Sequence, residues 1–122
     1  MDQASDHLRT VLEEARRQPA ISMSTGCAAA EPVRSMPDWV DRLHVLPVGP
    51  REWWLLCEPA AAREDETAGQ FVVAAAAGRY MVDTYDPAGG DCVARESAEG
   101  GPIVSGLAFT GRAVLVHIRG LP

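Results

Sequence analysis

Lysine is absent from this chain of 122 residues, and arginine supplies all eleven of its basic side chains. Seventeen acidic residues give a formal net charge of -6. Nucleic-acid binding requires clustered basic side chains that neutralise phosphates, so this balance argues against a nucleic-acid partner. No apolar run approaches the roughly 20 residues that span a bilayer, so the sequence also argues against a membrane partner.

Cysteine is scarce, and its three positions lie far apart. Cys27, Cys57 and Cys92 form no CxxC pair. The first ten residues contain neither the basic region nor the apolar region of a secretory signal peptide. An odd number of cysteines without such a signal predicts free, mostly buried thiols in a reducing compartment, and hence a cytoplasmic location. One disulfide beside one free thiol is the alternative.

The length fits one domain and is too short for an α/β barrel, which needs about 250 residues. The sequence predicts an N-terminal helix over residues 1–19, an irregular connection over residues 20–42 and a β-sandwich over residues 43–122.

An amphipathic helix is predicted over residues 5–18, because apolar residues recur there at i, i+3, i+4 and i+7. They are Leu8, Val11, Leu12 and Ala15. Ser5 or Asp6 provides the N-cap, and Pro19 ends the helix. The stripe is narrow, so the helix needs another surface to pack against.

From residue 43 onward, short apolar segments alternate with turn signals, as is typical of antiparallel β-structure. The predicted strands span residues 43–48, 52–57, 70–76, 79–85, 91–95, 102–105 and 112–119. A further short strand fits residues 20–24. The sequence therefore predicts a mainly β fold, an antiparallel β-sandwich of about six to seven strands with one N-terminal α-helix. An open barrel is the alternative.

Two adjacent tryptophans mark the most apolar strand. Residues 53–56 are Trp-Trp-Leu-Leu, which predicts a central strand buried on both faces. Successive side chains point to opposite faces of a sheet, so Trp53 or Trp54 is predicted to lie in the core. The other is covered by the N-terminal helix, which is the favoured interpretation, or is exposed for stacking on a sugar ring or a partner.

The polar residues form no recognisable catalytic motif. Asp86 precedes Pro87 and is typical of a turn residue that bonds its own backbone, and the acidic run at residues 64–66 is typical of a solvated loop. The three histidines are isolated in the sequence. No catalytic residue, metal ligand or cofactor is predicted. A zinc site assembled from Cys57, Cys92 and His117 stays open as an alternative.

Several strand residues carry a family resemblance. They are Gly78, Tyr80, Val82, the stretch from Asp83 to Pro87, and the apolar stretch from Val114 to Arg119. This part of the chain resembles the C-terminal β-sandwich of bacterial glycoside hydrolases, in which that domain follows a catalytic (β/α)8 barrel. The helix His7–Arg17 and the Trp-Trp-Leu-Leu strand are similar to other segments of the same family.

The chain departs from the family pattern in two respects. Tyr85-Asp86-Pro87 stands where a tryptophan-asparagine turn is usual, and the barrel that carries the family's catalytic residues is missing. The resemblance therefore implies an accessory domain and carries over no catalytic residue.

We expect a non-catalytic accessory or interaction domain related to carbohydrate-active enzymes. Its predicted partner is a catalytic domain or another chain, bound through apolar surface near the N-terminal helix. The first alternative is a carbohydrate-binding module that uses Trp53, Trp54, Tyr85 and Asp86. The second is a small metal- or thiol-dependent enzyme built on the cysteines and His117.

Overall fold

A computed structural model describes residues 3–18, 21–22, 33–35, 40–59, 69–86, 90–107 and 113–121. Cys27, Trp39, Pro87 and the acidic run at residues 64–66 lie outside the described residues. In the described part of the chain, no helix is long and apolar enough to cross a membrane.

Helix α1 spans Gln3–Arg17 and confirms the predicted N-terminal helix. Leu8, Val11 and Ala15 are buried, as their spacing predicts. The helix begins two residues earlier than expected, so the backbone of Ser5 and Asp6 belongs to the first turn and not to the cap.

Nine strands follow in the described residues. They are β1 (Ile21–Ser22), β2 (Val33–Ser35), β3 (Val40–Gly49), β4 (Glu52–Pro59), β5 (Gly69–Val73), β6 (Arg79–Asp86), β7 (Asp91–Glu99), β8 (Ile103–Leu107) and β9 (Val114–Gly120). The larger sheet has the order β1-β3-β4-β9-β6-β7, and the smaller has the order β2-β5-β8. Every pairing is antiparallel, which confirms the predicted mainly β, sandwich-like fold.

Two strands and part of a third lie in the stretch expected to be an irregular connection. Strand β1 falls where one short strand was allowed, β2 adds three residues to the smaller sheet, and β3 begins at Val40. Strand β2 and residues 40–42 bury one side chain each, Val33 and Val40, so they carry little periodic signal.

The main core lies between the two sheets. The larger sheet supplies inward-facing residues such as Leu55, Val82 and Val116, and the smaller sheet supplies Phe71 and Ile103. All five are at most 2 % exposed. Both sheets therefore share one hydrophobic core, as in a sandwich.

A second core lies on the outer face of the larger sheet, beneath α1. Leu8, Val11 and Ala15 of the helix pack with Leu56 and Leu115. The apolar stripe of the helix is therefore used within the chain itself.

His44, on β3, connects the C-terminal end of α1 to the larger sheet through two polar contacts. Its Nδ1 lies 2.9 Å from the carbonyl oxygen of Gln18, and its Nε2 lies 2.9 Å from Oε1 of Glu58. The side chain is nearly buried, so these two polar contacts offset its removal from water.

Tyr80 closes the corner where the chain passes from the smaller to the larger sheet. Its hydroxyl donates to the carbonyl oxygen of Ala76 at 2.9 Å, similar to the tyrosine corner of immunoglobulin-like sandwiches. Arg51 lies over the Tyr80 ring, 4.9 Å from its centroid. A Cβ at Gly78 or Gly120 would collide with the Arg51 side chain, so a larger residue at either position requires this side chain to move.

Candidate functional site

Trp53 and Trp54 point to opposite faces of the larger sheet. Trp53 packs against the main core and stacks on Tyr80, with ring centroids 6.5 Å apart. Trp54 belongs to the outer core beneath α1 and is 4 % exposed. The favoured interpretation, in which the helix helps to cover the second indole, agrees with this arrangement.

Tyr85 and Asp86 lie near the end of β6. Tyr85 is half-buried, with its ring centroid 6.0 Å from that of Trp54. Burial raises the pKa of Tyr85, and the negative charge of Asp83 adds to this shift. The backbone carbonyl of Asp86 accepts a hydrogen bond from the Gly90 amide at 2.7 Å, which closes the predicted β6–β7 hairpin.

These four predicted ligand-binding residues do not form one stacking platform. Trp53 faces the smaller sheet, whereas Trp54 and Tyr85 face outward. Trp54 offers almost no surface to a sugar ring because it is buried. Carbohydrate binding at these residues stays a prediction.

The residues considered for a zinc site are also dispersed. Cys57 is a buried free thiol of the main core, whereas Cys92 is an exposed free thiol on β7. His117 lies on the outer face, in register with Trp54. Within the described ranges, no three histidine, cysteine or acidic side chains are grouped to hold a metal ion.

An ionic cluster that the sequence did not reveal lies on the outer face beside α1. Asp83 is 2 % exposed at the centre of β6. Nε of Arg95, from β7, donates to Oδ1 of Asp83 at 2.7 Å, and Nη2 of Arg119, from β9, lies 3.9 Å from Oδ2. One buried carboxylate thus sits between two guanidiniums from neighbouring strands.

The two arginines of this cluster are largely exposed. Their side chains are 59 % exposed for Arg95 and 45 % for Arg119. Hydrogen bonding to Asp83, together with its negative charge, raises the pKa of Arg95. We call the outward surface of Met81, Asp83, Tyr85, Arg95 and Arg119 the arginine face.

Helix α1 and a histidine flank the arginine face. The helix packs over β3 and β4, while β6 and β7 lie on the far side of β9. Between them, Nε2 of His117 lies 2.7 Å from Oε2 of Glu52. The outer side of the large sheet is therefore apolar beneath the helix and becomes polar toward β7.

Strand β7 forms one edge of the larger sheet, and two features of this edge disfavour pairing with a further strand. A register irregularity interrupts its pairing with β6 between Thr84 and Tyr85. Glu96 points inward and accepts hydrogen bonds from Ser105 Oγ at 2.6 Å and from the Gly106 amide at 3.2 Å. Irregular pairing and inward-pointing charge both oppose the addition of another strand, so the face is a better candidate for binding than the edge.

Comparison of the chain with family models, curated proteins and solved structures found no match.

Proposed function

We propose that this chain is a non-catalytic interaction module whose arginine face binds a partner protein. The observation that carries the proposal is the Arg95–Asp83–Arg119 cluster, in which a buried carboxylate holds two exposed guanidiniums on the part of the sheet face that lies beside α1. The sequence resemblance supports a more specific form of the proposal. In that form, the module is a bacterial accessory domain and its partner is the catalytic domain of a carbohydrate-active enzyme.

Because α1 is packed on the larger sheet, we place the proposed partner contact on the strands beside the helix. The apolar stripe of the helix is packed against Leu56 and Leu115, so it supplies none of the apolar surface near the helix through which a partner was expected to bind. The arginine face lies on the same side of the sheet, beyond β9. A partner can therefore dock beside the helix without displacing it.

The residue types of the arginine face support binding. Arginine, tyrosine and methionine are enriched at protein interfaces, and arginine and tyrosine are frequent among residues that dominate binding energy. Arg95 is held by Asp83 before any partner arrives, which lowers the entropy lost on association.

Photocrosslinking tests the proposal in the organism that encodes the chain. The photoreactive residue p-benzoylphenylalanine replaces Ser97, which is exposed and in register with Met81 of the arginine face. The matched control places it at Val104, which is 52 % exposed on β8 of the smaller sheet. We expect a discrete protein adduct from position 97 and none from position 104.

The adduct is then identified, and the purified protein is titrated against the unmodified chain. Binding of that protein, lost when Met81→Glu places a charge on the arginine face, supports the proposal. The same adducts from both positions, or no adduct from position 97, overturn it. Tryptophan emission protected by an oligosaccharide panel, without a protein adduct, would support the carbohydrate-binding alternative instead.

A further inference from the structure

We infer that the partner docks an acidic polypeptide segment on the arginine face, with its carboxylates bound by Arg95 and Arg119. This inference rests on the proposed function and specifies the chemistry of the partner. Its basis is the charge and the hydrogen-bonding capacity that remain after the internal contacts of the cluster are made.

The charge of the cluster is unbalanced. Two guanidiniums share the single carboxylate of Asp83, so two positive charges and one negative charge leave a net charge of about +1 at neutral pH. Glu52 lies opposite Arg119 on β4 and contributes a further negative charge nearby, but its carboxylate bonds His117 and so leaves the donors of Arg119 unoccupied. Among the described residues, Arg119 makes its ion pair with Asp83 alone.

The hydrogen-bonding capacity of the cluster is also unfilled. A guanidinium carries five N–H donors. Arg95 directs Nε and Nη2 toward Asp83, at 2.7 and 3.5 Å from the two carboxylate oxygens. Arg119 is no closer to Asp83 than 3.9 Å. Arg95 also hydrogen-bonds the side chain of Tyr85. Arg119 therefore keeps most of its donors for an external acceptor and Arg95 keeps the remainder, and both side chains are exposed.

A carboxylate fits this arrangement better than a nucleic acid does. The planar guanidinium binds two carboxylate oxygens through parallel hydrogen bonds. Nucleic-acid binding depends on many basic side chains distributed along a backbone, whereas this chain has a net charge of -6. A small positive site on an acidic protein suits one or two acidic side chains of a partner.

Titration with a hexaglutamate peptide tests the inference directly, with hexalysine as the opposite-charge control. The readout is the arginine Nε–H resonances in nitrogen-correlated NMR spectra at constant ionic strength. We expect saturable shifts for Arg95 and Arg119 with hexaglutamate only. Shifts that sodium chloride reproduces, or that include exposed Arg42 equally, overturn the inference.

Two matched variants sharpen the test. Arg119→Gln removes one exposed guanidinium while the 2.7 Å bond between Arg95 and Asp83 is kept, and Arg42→Gln removes an exposed arginine from β3. We expect Arg119→Gln to weaken hexaglutamate binding by about tenfold, as for loss of one charged pair, and Arg42→Gln to leave it unchanged. Equal affinities for the two variants overturn the inference, and thermal unfolding of both confirms that they are folded.

Photocrosslinking separates failure of the inference from failure of the proposed function. If adducts at position 97 persist unchanged in Arg119→Gln, the arginine face binds a partner but not through carboxylates. If position 97 gives no adduct, the proposed function itself fails, whatever the peptide titration yields.

Discussion

The imidazole of His117 lies flat against the indole of Trp54, with ring centroids 3.9 Å apart and planes within 2° of parallel. His7 of α1 meets the same indole edge-on at 6.1 Å. Trp54 is thus enclosed by the helix on one side and by a sheet histidine on another. Since Glu52 lies 2.7 Å from His117, a polar contact helps to hold the stacked ring in place.

Replacing Trp54 with alanine should lower the free energy of unfolding by about 3–5 kcal/mol, because it removes a large buried side chain at the centre of the outer core. Urea denaturation measures the change. Val104→Ala, at a position 52 % exposed, is the control and should alter stability by no more than about 0.5 kcal/mol. A cost below about 1 kcal/mol for Trp54→Ala would contradict the packing described here.

The two arginines beside Asp83 should contribute unequally to stability. Arg95→Gln removes the 2.7 Å donor of a carboxylate that is 2 % exposed, so we expect the larger loss of stability from this variant. Arg119→Gln removes only a longer, exposed ion pair and should cost less than about 1 kcal/mol. Parallel urea titrations compare the variants. The reverse ranking would show that Arg119 is the principal partner of Asp83.

Ionisation of Cys57 in the unfolded chain should lower the free energy of unfolding as the pH rises into the alkaline range. Burial raises the pKa of its thiol to about 12, and the negative charge of Glu58 adds to the shift. In the unfolded chain the thiol ionises near its ordinary value of about 8.5. Between these two values the native state keeps a proton that the unfolded state has lost. This contribution is complete below about pH 8.5 and is lost as pH rises toward about 12.

The measurement compares unfolding free energies of wild type and Cys57→Ala at several values between about pH 8 and pH 10.5. Wild type should lose up to about 1.4 kcal/mol more per pH unit than the variant in the upper part of this range. The pKa of Tyr85 is also raised, but this group is the same in both proteins and cancels in the difference. Parallel pH profiles would rule out an effect of Cys57.

Glu96→Ala should weaken the protection of the β7 edge. The substitution deprives Ser105 Oγ and the Gly106 amide of their shared acceptor, at a cost of about 1–2 kcal/mol. It also removes a charge that opposes edge-to-edge pairing. Sedimentation velocity should detect self-association that grows with protein concentration. Glu99→Ala on the same strand is the control and should remain like wild type.

Much of the fold follows from local patterns in the sequence. The run at residues 53–56 predicts a strand buried on both faces, and β4 pairs with β3 and β9 in the interior of the larger sheet. Strand β7 extends to Glu99, four residues beyond its predicted end at Arg95. An edge strand buries few side chains, so residues 96–99 lack the alternation that marks a strand. Strand β3 continues through Pro47. Strand β1 pairs only with Arg42 and Leu43 of β3, so Pro47 lies beyond that pairing, where the lack of a backbone amide donor is tolerated.

The Arg95–Asp83–Arg119 cluster could not be predicted from the sequence. Asp83, Arg95 and Arg119 come from three strands and meet only through the pairing of β6 with β7 and β9. No short motif records that pairing. Three of the four predicted ligand-binding residues are aromatic, because large side chains stand out in a sequence, whereas the contribution of an arginine depends on the neighbour that orients it.

The position of β9 determines the order in which the larger sheet can be completed during synthesis. It lies between β4 and β6 and pairs with both, although it follows the other eight described strands along the chain. On the ribosome, the β3–β4 and β6–β7 hairpins emerge first, and each has a strand whose pairing side is open until β9 arrives. The nascent chain therefore leaves one pairing edge of β4 and one of β6 open until the seven residues of β9 insert between them, and association with another chain competes with folding during that interval.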